Sequence, residues 1–543
     1  MHNADVADGP VPADEVDPLG RCRARLAEAR ARFRAGQFRA SADAALEAGE
    51  LAKQAGRPDL LADAALVEVG VPDPTTAPVV ERLCRDALSA VDLGETSVRA
   101  RLHGQLAVAL HHRGRLTEAD AEVDRALALA TQAGDPQAVA AALNARQLAM
   151  AGLGHGPELL ELGGRMLDAA DASGSTEIEL QARSWRIDAL FRMGDSAGAA
   201  HEIDSLEVLA TRTGAAHLRW NARVAQAGLA HAVGRLADAE RLARESREIM
   251  PPDQRPQTEP VFIAQLMLIA TDRGAEPPEI RVARGFAIGT HPIAAVMMGR
   301  YDLEMGDMER ARAAYEAARH RLPSVEMDRR GIPALTAGVE LAVAFGDVAV
   351  VADLHRRILP FDGTMIASAL GAVGPTAHFL ARAEGLLGDH AQAVVHARAA
   401  VDISARGDFG PWLARSRLAL AEALMLRSAA GDREEALRVA TLAAVSAREL
   451  GMGPVLARAH ALVDSLGTRH RLSKREWEIA GLVAGGASNR DMARSLGLSE
   501  RTIETHMQNV LTKLGFHSRS QIAAWAVGVG IPGVSIDSDR GGT

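Results

Sequence analysis

The sequence predicts an all-α chain: a long α-solenoid of stacked helical hairpins, then a four-helix domain built around a helix-turn-helix. Three observations carry this. Aromatic residues make up only 3% of 543 positions while Ala, Leu and Arg abound, which favours helix over sheet. Glycines recur through most of the chain at a regular spacing. The C-terminal stretch holds four short segments, each opened by a Ser in capping position. The chain divides into a disordered acidic tail (1–18), the solenoid (19–468), the helix-turn-helix domain (469–530) and a flexible tail (531–543).

Charge separates the two large parts. The net charge is −9, yet residues 471–530 hold eight Lys/Arg against five Asp/Glu. With the one Arg and two Asp of the tail set aside, the first 470 residues carry −11. A basic module on an acidic body points to a polyanion partner for the module alone. Cys22 and Cys84 have no metal-ligand spacing and read as small packing residues in a reducing compartment. The opening "MHNADVADGPVPADEVDPLG" lacks the apolar run of a signal peptide. No stretch of about 18 apolar residues occurs, so the expected location is the cytoplasm, with no membrane partner.

The solenoid is read from its punctuation. Glycines stand at 36, 70, 114, 154, 194, 234, 274, 306, 346, 388 and 431. After several of them an Ala follows five positions later: Ala119, Ala199, Ala239, Ala311, Ala393 and Ala436. Gly takes the left-handed turn that ends a first helix, and Ala lets the second helix lie close. One hairpin cannot bury its apolar stripe alone, so neighbours stack. The frame resembles tetratricopeptide repeats, though its period exceeds their about 34 residues and their aromatics are largely missing. Such an arm implies an unidentified ligand or protein on its concave face. "IMPPDQRPQTEPVF" (249–262) breaks the pattern and reads as a long loop between repeats.

Several motifs mimic chemistry without its context. "GDSAG" (194–198) matches a nucleophile elbow, which needs a strand before Ser196, but the preceding residues have helical period. "GLGHG" (152–156) lacks the strand that leads into a dinucleotide loop. His111 and His112 have no ligand at metal spacing and read as a solvated helix edge. The chain has three lysines, Lys53, Lys474 and Lys513, none after a Gly, so no Walker A loop is present. The same scarcity argues against a receiver domain. No catalytic residue, metal or cofactor is expected.

The C-terminal helices carry explicit start and stop signals. Ser473 with Glu476, Ser488 with Asp491 and Ser518 with Gln521 have capping-box spacing, and Ser499 caps the third helix. Gly485–Gly486, Gly497 and Gly515 end the first three. Only "GLS" separates the second helix from the third, the tight corner of a helix-turn-helix. In the third helix Ile503, Met507, Val510 and Leu514 form one stripe, which faces a core with Ala493, Leu496 and Leu498. Arg501, Glu504, Thr505, Gln508 and Thr512 take the opposite side, on a helix that the major groove of DNA can admit.

This stretch resembles the LuxR-type DNA-binding domain. Matching positions include Leu472, Arg475, Glu476, Gly486, Ser488, Asn489, Ala493, Leu496, Ser499, Thr502, His506, Asn509, Lys513, Leu514, Gly515, Ser518 and Arg519. The resemblance implies bacterial transcription control, double-stranded DNA as partner, and a homodimer on DNA formed through the last helix, at Ile522, Ala523, Trp525 and Ala526. It places base contacts at Glu504, Thr505 and Gln508. Gln suits adenine, and Thr suits either base or the thymine methyl. Glu504 would accept from cytosine or repel misplaced phosphates. Asn489, Arg490, Arg501, Thr502, His506, Lys513 and Arg519 are candidate phosphate contacts; His506 reads equally as a packing residue, and Arg494 as a solvated charge. The solenoid is similar to the repeat region of large actinobacterial LuxR regulators, without the ATPase module they usually carry. The alternative is a protein-interaction scaffold that uses the C-terminal domain for docking.

Overall fold

A computed structural model describes residues 17–528 apart from 36, 68–73, 151–155, 251, 253–254, 288–291, 326–330 and 369. Both expected tails thus fall largely outside the described residues, and "GLGHG" falls outside them up to Gly156. At the N-terminal edge, Asp17 already caps a helix that begins at Pro18, its carboxylate accepting from the Leu19 N–H at 3.1 Å.

Between Pro18 and Arg471 the chain forms an α-solenoid of tetratricopeptide-like hairpins closed by a single helix, Gly453–Arg471. That helix runs past the boundary at 468 read from the sequence. Every punctuating glycine among the described residues sits in a turn within a hairpin, with φ between +71° and +88°. Gly388 shows the reason: it ends helix Thr376–Leu387 in the left-handed region, where its N–H reaches back to Glu384 O, before Asp389 caps the partner helix. The six recurring alanines are all buried. A methyl there lets paired backbones approach, and the hairpins share continuous apolar clusters rather than isolated cores.

Two expectations need correction. The 249–262 segment is not a long loop: helix Arg255–Arg273 starts inside it and carries Pro260 in its second turn. A proline near a helix start costs at most one backbone bond, so the Pro-rich composition misled. His111 is buried and lies edge-on to His112, 6.2 Å between centroids, instead of facing solvent. Ser196, by contrast, is a plain first residue of helix Ser196–Thr213. A helix precedes it, and Asp195 caps it through the Gly198 N–H at 2.8 Å. Cys22 and Cys84 are free and buried, and burial pushes both thiols up from their usual range. Among the described residues, no helix is long and apolar enough to cross a membrane.

One element departs from the all-α pattern. Strands β1 (Met365–Ser368) and β2 (Gly371–Pro375) form an antiparallel hairpin, with Met365 opposite Pro375 and Ser368 opposite Gly371. It packs against helices Thr176–Met193 and Ala216–Ala232, the first helices of successive repeats. Its backbone is satisfied from outside: Gln265 donates to Leu370 O at 3.3 Å, and the Trp412 indole donates to Ala372 O at 3.1 Å. Gly374 has to be glycine, since its φ is +143° and a Cβ would meet the Trp412 ring at 2.7 Å.

The solenoid also touches itself across long sequence distances. The Arg415 guanidinium bonds Asp272 at 2.8 and 3.0 Å and Glu304 at 3.0 Å. His231 meets the other Asp272 oxygen at 3.0 Å. Burial pushes the Asp272 carboxyl up, but Arg415 and His231 outweigh it and the net direction is down. Arg382 continues the cluster, bonding Glu422 at 2.6 Å.

Two outcomes are expected. Arg415→Met leaves Glu304 without its buried ion-pair partner and Asp272 with only His231. Urea denaturation should show a loss of about 3–5 kcal/mol, against a far smaller one for Arg25→Met in an exposed pair. Gly306→Ala, with open space around it, should cost about 1–2 kcal/mol for the left-handed backbone alone. Gly234→Ala should cost more in the same assay, because its Cβ would lie 2.6 Å from Leu450 Cδ2.

Candidate nucleic-acid interface

The four C-terminal helices run Lys474–Ala484, Asn489–Leu496, Glu500–Leu514 and Arg519–Gly528. The start signals read from the sequence are made. Ser473 Oγ accepts from the Glu476 N–H at 3.3 Å while Glu476 accepts from the Ser473 N–H at 2.6 Å, and Ser488 and Asp491 repeat the exchange. Ser518 and Gln521 do likewise at 3.3 and 3.1 Å. Gly497, in the left-handed region at φ +65°, turns the chain, and Leu498 N–H closes on Ala493 O at 2.9 Å. Ser499 then holds the Thr502 N–H at 3.1 Å and shares a 2.7 Å hydroxyl–hydroxyl bond with Thr502. The third helix is therefore fixed at its first turn.

Its inner stripe packs as expected: Ile503, Met507 and Val510 are buried with Ile479, Met492 and Ile522. Its outer face is open. Arg501, Glu504, Thr505, Gln508 and Thr512 are all exposed. Thr505 gives its hydroxyl proton to Arg501 O one turn back, at 3.0 Å, which leaves its oxygen lone pair and methyl outward. Glu504 and Gln508 make no side-chain hydrogen bond with another described residue.

The candidate phosphate contacts separate into two groups. Arg490 and Arg501 are exposed, with no ion pair among the described residues. Thr502 is half-buried beside Ser499, and His506 is half-buried with its Nδ1 enclosed and unpartnered. The other three are engaged inside the domain. Lys513 Nζ donates to both oxygens of buried Glu476, at 2.6 and 2.9 Å. Arg519 donates to Asn489 Oδ1 at 2.8 Å and to Ala487 O, so Arg519 and Asn489 pin the fourth helix to the start of the second. Cationic side chains with an acceptor in reach fold inward in the absence of DNA. Arg494 pairs with Asp491 at 3.4 Å.

The dimerisation face also changes. Ile522 and Ala526 are fully buried in the domain's own core, and Trp525 packs edge-on against Trp477 at 5.7 Å. Helical spacing alone could not distinguish an inward apolar stripe from an outward one. The surface left open on the last helix is Ser520, Gln521 and Ala524, with the edges of Ala523 and Trp525. Sequence reasoning also missed Arg475, which donates to Leu496 O at 2.8 Å and ties the first helix to the end of the second.

Residues 470–526 match the family model described as bacterial regulatory proteins, luxR family. The C-terminal domain is a LuxR-family domain. Relatives agree with this. The chain is similar to the transcriptional regulatory protein LiaR of Bacillus subtilis (strain 168), 31% identical over 103 residues, or 19% of this chain and 49% of the relative. It is also similar to the CsgBAC operon transcriptional regulatory protein of Escherichia coli (strain K12), 44% identical over 55 residues, or 10% and 26%. The chain thus spans about half the length of the first relative and about a quarter of the second. A structural likeness to the APC/C hetero-tetramer Cut9-Hcn1 covers 93% of this chain and 97% of that one, at 13% identity and a TM-score of 0.46, too low to carry an argument.

Within the LuxR-family domain, Glu476 links the first helix to the third through Lys513 and closes the capping box of its own helix. Burial pushes its carboxyl up, but Lys513 and the Ser473 bonds outweigh burial and hold it below the usual carboxylate range. A lowered folded pKa contributes stability above the unfolded carboxylate pKa, lost as pH falls through the folded value. Lys513→Met should therefore cost about 1–2 kcal/mol at neutral pH. That difference should shrink as pH falls below the carboxylate range, as followed by Trp477 and Trp525 fluorescence during urea unfolding.

Proposed function

We propose that the chain is a sequence-specific DNA-binding transcriptional regulator whose helix Glu500–Leu514 reads the major groove. One observation carries this reading: a helix locked at its start by Ser499 and Thr502 shows the solvent a row of side chains the protein itself leaves unused. Glu504, Thr505 and Gln508 lie on that row at the positions for base edges. Gln508 has both amide groups free for a bidentate bond to adenine, the Thr505 methyl suits thymine, and Glu504 suits a cytosine amino group. Arg490 and Arg501, unpaired and exposed, flank the row as phosphate contacts, with Thr502 and His506 between them. The solenoid acts as the ligand- or protein-responsive arm. Two copies pair on DNA through the open face of helix Arg519–Gly528, and such a pair reads half-sites one or more helical turns apart.

Selecting fragments from a random DNA pool with the full-length protein tests the reading. A palindromic consensus is expected; recovery of no enriched sequence at low salt would point instead to a docking scaffold. On the selected site Gln508→Ala should cost about 1–3 kcal/mol and relax one base position. Arg490→Ala should weaken binding to all sequences alike and reduce the salt slope by about one. Equal losses on every DNA for both variants would show that Gln508 reads no base.

A further inference from the structure

A cavity of about 1210 Å³ lies among helices Arg255–Arg273, Pro278–Ala287 and Pro292–Glu304 and strand β2. Its wall is mostly apolar, with Ile263, Met267, Leu268, Met297, Met298 and Val373 prominent. Methionines make such a wall adaptable to an apolar body of variable shape.

One side chain does not belong in an apolar wall unless something binds there. Arg300 lines the cavity with only 6% of its surface exposed. No described residue gives its guanidinium a hydrogen bond or an ion pair, and its Nε is enclosed without a partner. The Trp412 ring lies 5.8 Å from the guanidinium carbon, and Glu304, Glu340 and Asp272 act on Arg300 through the field without a direct bond. The carboxylates around it are already engaged. At the rim, Glu259 pairs with Arg247 at 2.9 Å and Glu279 with Arg244. Behind it, Asp272 and Glu304 pair with Arg415, and Glu340 pairs with His378 at 3.3 Å and lies 3.7 Å from Arg382. Tyr301, the next residue, lines the same cavity, and its hydroxyl is also buried without a partner.

A buried cation with unmet donors is costly in an apolar setting. A carboxylate satisfies it best, because the planar guanidinium offers two parallel N–H bonds. The surrounding wall has few polar partners for a sugar or a nucleotide, whose many hydroxyls or phosphates would go unpaired. We infer that this cavity binds an amphipathic monocarboxylate, its acyl-like body on the methionine-rich wall and its carboxylate on Arg300. The inference names the ligand chemistry of the responsive arm and rests on that reading of the solenoid, but binding itself needs no DNA.

Calorimetric titration of the full-length protein with decanoate, and with decanol as the uncharged control, tests it. Decanoate is expected to bind and decanol to bind at least tenfold more weakly. Arg300→Met should weaken decanoate at least tenfold and leave decanol within twofold. Absence of decanoate binding, or equal binding to wild type and Arg300→Met, overturns the proposal. Met267→Trp fills the cavity and leaves Arg300 in place; it should also weaken decanoate at least tenfold. If Arg300→Met does not fold, unchanged decanoate binding in Met267→Trp overturns the proposal by itself. These titrations contain no DNA, so their failure leaves the DNA-binding reading standing. Loss of DNA binding with decanoate binding intact removes the other reading alone.

Discussion

Arg415 is the constraint on which the body of this protein depends. Its guanidinium joins helices that are over a hundred residues apart in sequence: the one ending at Arg273, the one ending at Glu304 and its own. An open stack of hairpins needs only neighbour contacts. Here the stack meets itself, and the meeting point is ionic and buried. A buried ion pair is weak as a source of net stability, but breaking it is expensive, so it holds the arrangement to one register. The β1–β2 hairpin completes the closure, wedged against the first helices of two repeats and bonded by Gln265 and Trp412. A surface that would otherwise stay open to a partner is therefore partly filled by the chain itself.

The LuxR-family domain is built on the opposite principle. Three of the eight cations in residues 471–530 bind inward among the described residues. Lys513 serves Glu476, Arg519 serves Asn489 and Ala487, and Arg475 reaches Leu496 O. The basic balance of residues 471–530 overstates the charge a phosphate backbone would meet, since the exposed unpaired cations beside the third helix reduce to Arg490 and Arg501. What the inward bonds give is rigidity. A recognition face held by caps and cross-helix bonds loses little entropy on docking, and a face with few free cations gains less from the non-specific electrostatic term. If the chain reads DNA as proposed, both effects shift the balance from general attraction towards base reading.

Local signals were legible in the sequence and crossings were not. Gly-to-Ala spacing located the hairpins, and Ser caps located all four C-terminal helices, because turn and cap chemistry is written within a few residues. The exposed row of Glu504, Thr505 and Gln508 followed from helical period for the same reason. The hairpin at 365–375 was missed: its Ala- and Gly-rich strands are short and buried on both faces, so they show no alternation to read. The family resemblance assigns Ile522 and Ala526 to a dimer face, but both are buried in the domain's own core, a packing that no local window of the last helix contains. The internal bonds of Lys513 and Arg519, candidate phosphate contacts, are not legible because their acceptors stand more than two dozen residues away. The cross-helix bonds of Lys513 and Arg519 are long-range pairings that no local window contains, whereas the hairpin is local but lacks a readable pattern.

Closure and cavity share their parts. Strand β2 supplies cavity-lining residues through Gly371 and Val373, and the same strand accepts the Trp412 bond through Ala372. The Trp412 ring lies near two guanidiniums, Arg300 at 5.8 Å and Arg415 at 5.7 Å. One indole thus connects the unpaired cation in the cavity wall, the paired cation at the closure and the hairpin wedged between them. An anion that drew Arg300 away from that ring would change the field on Arg415 without touching it, because Arg300 and Arg415 repel across a buried gap. The cavity wall and the closure of the solenoid thus share strand β2 and the Trp412 ring beside Arg300.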